Sequence, residues 1–502
     1  MKIAIIPAAG SATRFKEIGK QYAKTVLPYK GKPIIVHIVT QINREVNPDL
    51  IRIVYSKIEH KEQIAEALAL YNLDVEFVMC DNGRQGPAKS ILSGIPHDVT
   101  NNDSVFVHLS DFVATNSSVL NMMDDSIAAF PVSDPSRWCM VNADEDNEII
   151  NFIDKPTGQV DTNLAVAGLY SFSDAKCLLY AGSMVESKGT GEFQISELMN
   201  EYMLSYPLSV NTIGSTDLID FGTIEEYIQN RGIAKARSFN VVTDLGHSVE
   251  KYSITQPDKI LAEATWLNNP PYGMEKYVPN VYSINNIKAN FRMEKIKSTN
   301  LRDLYLYLDR SEDTWNEVFN EVFTFIDSCK RIKRDGSAFW RMIIKKTKDR
   351  APEEVEFNRE FAKAIEESRF FGEQTYYHGD LHFANMFYCF TYKDLKLVDP
   401  RGEFHGHWFY DLAKLNHSVN GKYDWIDSQL YSDNKIYDSG TEGVKKAFSK
   451  LLDDLRLTPA DHKLLNILTA SLFLSMIPLH YHSLKNQELY MAEFRRLNNP
   501  PK

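Results

Sequence analysis

The first residues suited to chemistry follow the opening apolar run Lys2-Ile3-Ala4-Ile5-Ile6, in the stretch Pro7-Ala8-Ala9-Gly10-Ser11-Ala12-Thr13-Arg14. Side chains this small let backbone N–H groups approach an anion, and the closing arginine can clamp it. Ala8, Ala9, Gly10 and Ser11 thus suit a phosphate cradle with Arg14 as its cation, and they equally suit a tight connection between a strand and a helix. A second concentration of polar side chains runs from Tyr377 to Met386 and on to Asp399-Pro400-Arg401-Gly402, inside an otherwise helical half of the chain.

The segment continues to Lys24-Thr25-Val26-Leu27-Pro28-Tyr29-Lys30-Gly31-Lys32-Pro33-Ile34-Ile35. As a whole it resembles the P/L-A-A-G-x-G-x-R…K-x-L-x-x-x-G-K-P-I signature of sugar-nucleotide pyrophosphorylases and related nucleotidyltransferases. Further matches follow in the same order: Gln85-Gly86-Pro87, Asp111, Asp154-Lys155-Pro156, Ala167-Gly168-Leu169-Tyr170, Gly191-Glu192 and Asp220-Phe221-Gly222-Thr223. A phosphate monoester attacking the α-phosphorus of a nucleoside triphosphate brings two polyanions together, so the site must neutralise charge and align the nucleophile with the departing pyrophosphate. Arg14 and Lys24 suit that task. The resemblance implies that Asp111 and Asp220 hold Mg2+, that Lys155 grips the acceptor phosphate, and that Gln85, Gly86, Gly168 and Glu192 contact nucleotide or substrate. One position departs from the signature: Ala12 stands where the family has its second glycine.

The wording His378-Gly379-Asp380-Leu381-His382-Phe383-Ala384-Asn385, followed by Asp399, resembles the aminoglycoside phosphotransferase and choline kinase family. That resemblance implies Asp380 as acceptor of a substrate hydroxyl's proton and Asn385 and Asp399 as holders of Mg2+ against the phosphates of ATP. It also implies Lys251 as the lysine on the α/β-phosphates, Glu263 as its ion-pair partner, residues 291–295 as a hinge strand and residues 237–240 as the phosphate-covering loop. Asp411 fits either an anchor for the Asp380 loop or a plain helix N-cap, and His378 and His382 fit loop-ordering hydrogen bonds. The aromatics Phe404, Trp408, Phe409, Tyr410, Tyr423 and Trp425 suit core packing more than a cage for a quaternary amine.

These residues need elements to place them. Short β-rich runs alternate with helical patterns over the first 230 or so residues, the rhythm of βαβ units around a mostly parallel mixed sheet. The expected fold is a Rossmann-like, GT-A-like α/β domain over 1–234, then a two-lobed α+β kinase-like domain over 235–502, with lobes of about 235–297 and 298–502. At 502 residues the chain has material for about two to four folding units. With 43% hydrophobic and 25% charged residues it reads as an ordinary packed protein. A net charge of -11 disfavours general nucleic-acid or anionic-membrane binding. Five scattered cysteines, without a C-x-x-C pair, predict neither a disulfide framework nor a zinc site. No stretch reads as a signal peptide or membrane span, so the expected location is the cytoplasm.

Together the two resemblances imply a bifunctional enzyme. A kinase makes a phosphate monoester from a sugar, polyol or amino alcohol with ATP. A nucleotidyltransferase then joins the monoester to a nucleotide from an NTP, CTP or UTP favoured, with Mg2+ at both sites, for bacterial surface polysaccharide or capsule synthesis. The alternatives are a choline kinase joined to a phosphocholine cytidylyltransferase, and a nucleotidyltransferase joined to a non-catalytic kinase-like module. Association into a homo-oligomer stays open.

Overall fold

A computed structural model describes the chain except for residues 11–12, 16–21, 31, 81–85, 187–192, 232–239, 254, 433–434, 437, 439, 482 and 499–502. The chain divides into two compact units, Met1–Gly232 and Ile233–Lys502.

The first unit is built on a nine-stranded mixed sheet. Its strands, with a small flanking pair, are β1 (Lys2–Pro7), β2 (Leu50–Tyr55), β3 (Glu76–Met79), β4 (Ser104–His108), β5 (Phe112–Ala114), β6 (Ser126–Pro131), β7 (Cys139–Ala143), β8 (Ile149–Asp154), β9 (Leu164–Phe172), β10 (Ser209–Thr212) and β11 (Leu218–Asp220). β1 lies between β2 and β4, parallel to both, and β3 continues the parallel half beyond β2. β9 then runs antiparallel to β4, β6 and β7, β8 pairs with β7, and β10 pairs with β6. Ile3 to Ile6 are all fully buried, as a central strand covered on both faces requires. Helix α1 (Ile34–Glu45) turns Ile34, Ile35, Ile38, Val39 and Ile42 inward with the helical period, and α2 (Ile58–Ala69) follows β2. Helix α3 (Pro87–Gly94) packs on β1 and β2, with α4 (Ala175–Glu186), α5 (Ile195–Tyr202) and α6 (Ile224–Asn230) following in the chain.

This is a Rossmann-like α/β arrangement. The chain leaves β1 for β2 on one side and returns at β4 on the other, so the loops after β1 and β4 diverge at a topological switch point, where such sheets open a crevice.

The second unit begins with an antiparallel sheet of β12 (Asn240–Asp244), β13 (Ser248–Ser253), β14 (Val281–Asn285) and β15 (Asn290–Glu294), ordered β12-β13-β15-β14. Helix α7 (Pro257–Asn268) packs against it. The rest is helical: α8 (Glu312–Arg331), α9 (Ala338–Arg350), α10 (Val355–Glu366), α11 (Trp408–Val419), α12 (Glu442–Asp454), α13 (Pro459–Met476) and α14 (Leu484–Asn498), with the hairpin β16 (Met386–Cys389) and β17 (Asp394–Leu397) between α10 and α11. Trp408, Phe409, Tyr410, Tyr423 and Trp425 are buried, so this aromatic density is core. Leu301–Leu308 is a single α-turn continued as a π-helix over Leu304–Leu308. One expectation is corrected: Pro459–His480 is long and apolar enough to cross a membrane, at a mean hydropathy of 1.3. In this structure its Leu464, Leu465, Leu468, Phe473 and Leu474 are buried within the unit. All five cysteines are free thiols.

Candidate functional site

In the first unit the candidate residues gather at the carboxyl ends of β1 and β4. Ser110, just past β4, donates its hydroxyl to the Pro7 carbonyl at 2.7 Å, and Ser56 donates to the Ala9 carbonyl at 2.7 Å, which fixes the turn that ends β1. The Ala8 N–H donates to the Val54 carbonyl at 2.8 Å. Ala8 therefore extends the strand pairing through its N–H. Ala9 is buried, and around Gly10 a β-carbon would meet nothing within 4 Å. Arg14 is exposed on the 3-10 turn Thr13–Phe15.

Lys24 opens a second 3-10 turn, Lys24–Val26, and its Nζ lies 3.4 Å from Asp111 Oδ2. Asp111 directly precedes β5, which pairs with β11 so that Phe112 faces Asp220. The Phe221 N–H donates to the Asp111 carbonyl at 2.6 Å, locking the two carboxylate-bearing loops together. Burial, then Glu226 and Asp111, push the Asp220 carboxyl up to about 6, against the Gly222 N–H and Arg137, which favour its charge. Two carboxylates that oppose each other beside a lysine fit a divalent cation, which would relieve that opposition and take its remaining oxygens from phosphates. Among the described residues no group of three His, Cys, Asp or Glu side chains forms a further metal cluster.

Arg137 was not legible in the sequence. Its guanidinium lies 3.4 Å from Asp220 Oδ2 and forms a close ion pair with Glu226. Glu226 also closes the capping box of α6 with Thr223, so the Asp-Phe-Gly-Thr run both starts a helix and presents Asp220. Gly168 adopts φ +79°, and a β-carbon there would meet Phe112 at 2.9 Å and Leu109 at 3.0 Å. Its carbonyl accepts the Leu109 N–H at 2.9 Å, so Gly168 shapes the loop leading to Asp111. Gly86 adopts φ +85° at the N-cap of α3, where a β-carbon would collide with the Phe193 backbone. Lys155 sits at the end of β8 with φ +44°, its side chain 56% exposed and 4.0 Å from Asp154. Ser11, Gln85 and Glu192, and residues 237–239 of the expected covering loop, lie outside the described residues.

In the second unit Lys251 on β13 reaches α7 and the loop after β17. Its Nζ donates to Glu263 Oε1 and Oε2 at 2.7 and 2.8 Å and to Asp399 Oδ1 at 2.8 Å. Burial opposes the Lys251 ammonium, but Asp399 and Glu263 outweigh it and hold it above the ordinary lysine value. Asp399 adopts φ +56°, a left-handed conformation that turns its carboxylate back toward Lys251. Asn385 donates to the Asp380 carbonyl at 2.9 Å, and Asp380 Oδ1 lies 2.9 Å from Lys414 Nζ on α11.

Asp411 is not the N-cap of α11, a place taken by His407. Its two oxygens accept the N–H groups of His378 and Gly379, each at 2.7 Å, so it anchors the Asp380 loop. Burial pushes its carboxyl up to about 7 against those two bonds. His378 Nε2 meets the Val398 carbonyl at 2.9 Å, tying the loop to the strand that leads into Asp399. Lys414, like Arg137, carries no sequence signal beyond its charge.

Residues 3–235 match the protein family described as Nucleotidyl transferase. The bifunctional protein GlmU of Methanococcus maripaludis is 28% identical over 178 residues, covering 34% of this chain and 40% of that protein. A glucose-1-phosphate thymidylyltransferase of Xanthomonas campestris pv. campestris is 24% identical over 220 residues, covering 42% of this chain and 72% of that protein. The chain thus spans about 40% of the length of the GlmU relatives. A solved nucleoside-diphosphate-sugar pyrophosphorylase from Vibrio cholerae RC9 superposes with a TM-score of 0.39 at 17% identity, covering 46% of this chain and 99% of that one. Residues 3–235 thus form a nucleotidyl transferase domain that resembles the sugar-nucleotide pyrophosphorylases.

Proposed function

We propose that the chain is a bifunctional enzyme that phosphorylates a small hydroxyl compound with ATP and then couples the resulting monoester to a nucleotide. In the nucleotidyl transferase domain Arg14 and Lys24 neutralise the triphosphate, and Lys155 holds the acceptor phosphate, while the chain supplies no nucleophile of its own. Asp111 and Asp220 would hold Mg2+, which supplies positive charge between the phosphates of the two substrates. CTP or UTP and a sugar or polyol phosphate are the favoured pair, and the product would serve surface polysaccharide or capsule assembly. The glucose-1-phosphate thymidylyltransferase relative supports a sugar phosphate as acceptor.

In the second unit Lys251 would contact the phosphates of ATP, held in place by Glu263, and Asn385 and Asp399 would hold Mg2+ against them. Asp380 takes the hydroxyl proton. Its Oδ1 lies 2.9 Å from Lys414 Nζ, and its Oδ2 lies 3.4 Å from Asn385 Nδ2 and 3.5 Å from His382 Nε2, contacts that orient the carboxylate for that task. The kinase reading rests on one observation, the bonding of Lys251 to both Glu263 and Asp399, the latter just past the hairpin β16–β17 that follows the loop carrying Asp380 and Asn385.

The test is a double dissociation. Asp380→Ala is expected to lower ATP-dependent phosphorylation by about 100-fold or more and to leave nucleotidyl transfer from a supplied sugar phosphate intact. Lys24→Ala is expected to do the reverse. Loss of both activities in a folded single variant refutes independent sites, and undiminished ADP release in Asp380→Ala refutes the kinase.

A further inference from the structure

Around Asp380 the second unit collects several cationic side chains. Tyr410, Lys414 and His417 lie at helical spacing along α11, and Lys414 meets Asp380 at 2.9 Å. On α9, Met342, Lys346 and Arg350 share another face. Arg401 joins the two: its Nη2 lies 3.3 Å from Met342 Sδ, and its backbone N–H donates to the His378 carbonyl at 2.9 Å. Its Cβ presses so close to Gly379 that a β-carbon there would stand 2.6 Å away. Arg401 is therefore packed against the loop that holds Asp380.

The carboxylates facing these cations are Asp380, engaged by Lys414, Asp411, which faces Lys414 while accepting the His378 and Gly379 N–H groups, and Glu403, which takes Arg401 Nε at 3.1 Å and the Tyr377 hydroxyl at 2.9 Å. Arg350 donates to the Ser475 carbonyl at 3.2 Å. Two donors are left over. Arg401 Nη1 is buried without a hydrogen-bond partner, and the half-buried Lys346 ammonium has no ion-pair partner among the described residues. Tyr410 supports the charge of Lys346, but burial together with Arg401, Lys414 and Arg350 outweighs it and pulls the ammonium below the ordinary lysine value. Like charges crowded this way cost stability, and a chain retains such a conflict where a ligand supplies the missing negative charge.

We infer that the compound phosphorylated by this unit carries an anionic group, a carboxylate or a phosphate, which seats on Lys346 and Arg401 while its hydroxyl meets Asp380. The inference rests on the kinase reading above and narrows its substrate class. The hydroxyl oxygen forms a bond to the γ-phosphorus of ATP, the bond from that phosphorus to the β,γ-bridging oxygen breaks, ADP departs, and the hydroxyl proton passes to the Asp380 carboxylate. A quaternary ammonium acceptor would meet like charge instead, so choline is disfavoured.

The test uses the full-length protein with ATP, Mg2+ and four probes that differ chiefly in charge: glycerol, glycerate, glycerol 3-phosphate and choline. One of the two anions is expected to exceed glycerol by about tenfold or more in kcat/KM, with choline the poorest, and the better anion tells carboxylate from phosphate. Lys346→Met is expected to raise KM for that anion by about tenfold while KM for ATP moves less than about twofold, with Lys346→Arg restoring it. The same Met variant, free of ligand, is expected to melt higher than the parent, since a charge conflict has gone; a lysine serving only the packing would melt lower. The inference is overturned if glycerol or choline is the better acceptor, if the two KM values rise together, or if none of the four is phosphorylated while ATP hydrolysis still depends on Asp380. ATP turnover that is absent or indifferent to Asp380→Ala overturns the kinase reading itself.

Discussion

Asp220 shows how much one carboxylate's surroundings can decide. Burial, Glu226 and Asp111 push it up to about 6. Because this folded value lies above the ordinary carboxylate value, the group favours the fold most below about pH 4, and that contribution is lost as the pH rises through about 6. The ion-free domain is thus penalised at neutral pH, and a bound cation removes the penalty. The rise in melting temperature caused by Mg2+ is expected to be larger at pH 7.5 than at pH 5, and Asp220→Asn is expected to erase the difference. Equal shifts at both pH values would take Asp220 out of the cation site. At this scale the sequence was legible where a residue belongs to a spaced motif, as with Lys24 and Asp111, which lie 3.4 Å apart. It was not legible for Arg137 and Lys414, whose roles come from loops and helix faces brought together by folding. Asp411 was undecidable because an N-cap and a loop anchor look alike until the partner N–H groups are placed.

Among the elements, the irregularity inside β9, where the pairing shifts register between Val166 and Tyr170, carries a consequence for the site beside it. Gly168 has a positive φ and stands against Phe112 and Leu109, the neighbours of Asp111. Gly168→Ala is expected to cost the nucleotidyl transferase domain about 1–3 kcal/mol in chemical denaturation and to reduce nucleotidyl transfer, with ATP-dependent phosphorylation unchanged. A fully active variant of ordinary stability would show that the loop adapts without its glycine. The β-rich runs and amphipathic helices were readable because burial on one face imposes a period, as in α1. The pairing of β5 with β11, which sets Asp111 near Asp220, joins segments about a hundred residues apart and leaves no periodic trace. Leu301–Leu308 has the pattern of a helix, but the period alone does not tell an α-helix from the wider π-helix that follows its first turn.

For the whole molecule, the two compact units each bring their own core, and a calorimetric scan is expected to resolve two unfolding transitions. A ligand at 100 times its Kd adds about 2.7 kcal/mol to the state it binds. ATP with Mg2+ is expected to move one transition, and CTP or UTP the other. If ATP moves neither while another triphosphate moves one, the second unit is a binding module. The change from alternating strands and helices to a helix-rich half was legible from patterning, because burial requirements differ between a parallel sheet and a helical bundle. How each half's own segments fold back on one another was not, since that follows from contacts that sequence spacing does not encode. Helix α13 carries one more consequence, for the order of events during synthesis. Its apolar residues are covered partly by α14, with Phe473 and Tyr490 6.0 Å apart. A growing chain folds from its beginning, so this most membrane-like segment waits uncovered on the ribosome until α14 has emerged. In that interval the protein is most exposed to capture by chaperones and to aggregation.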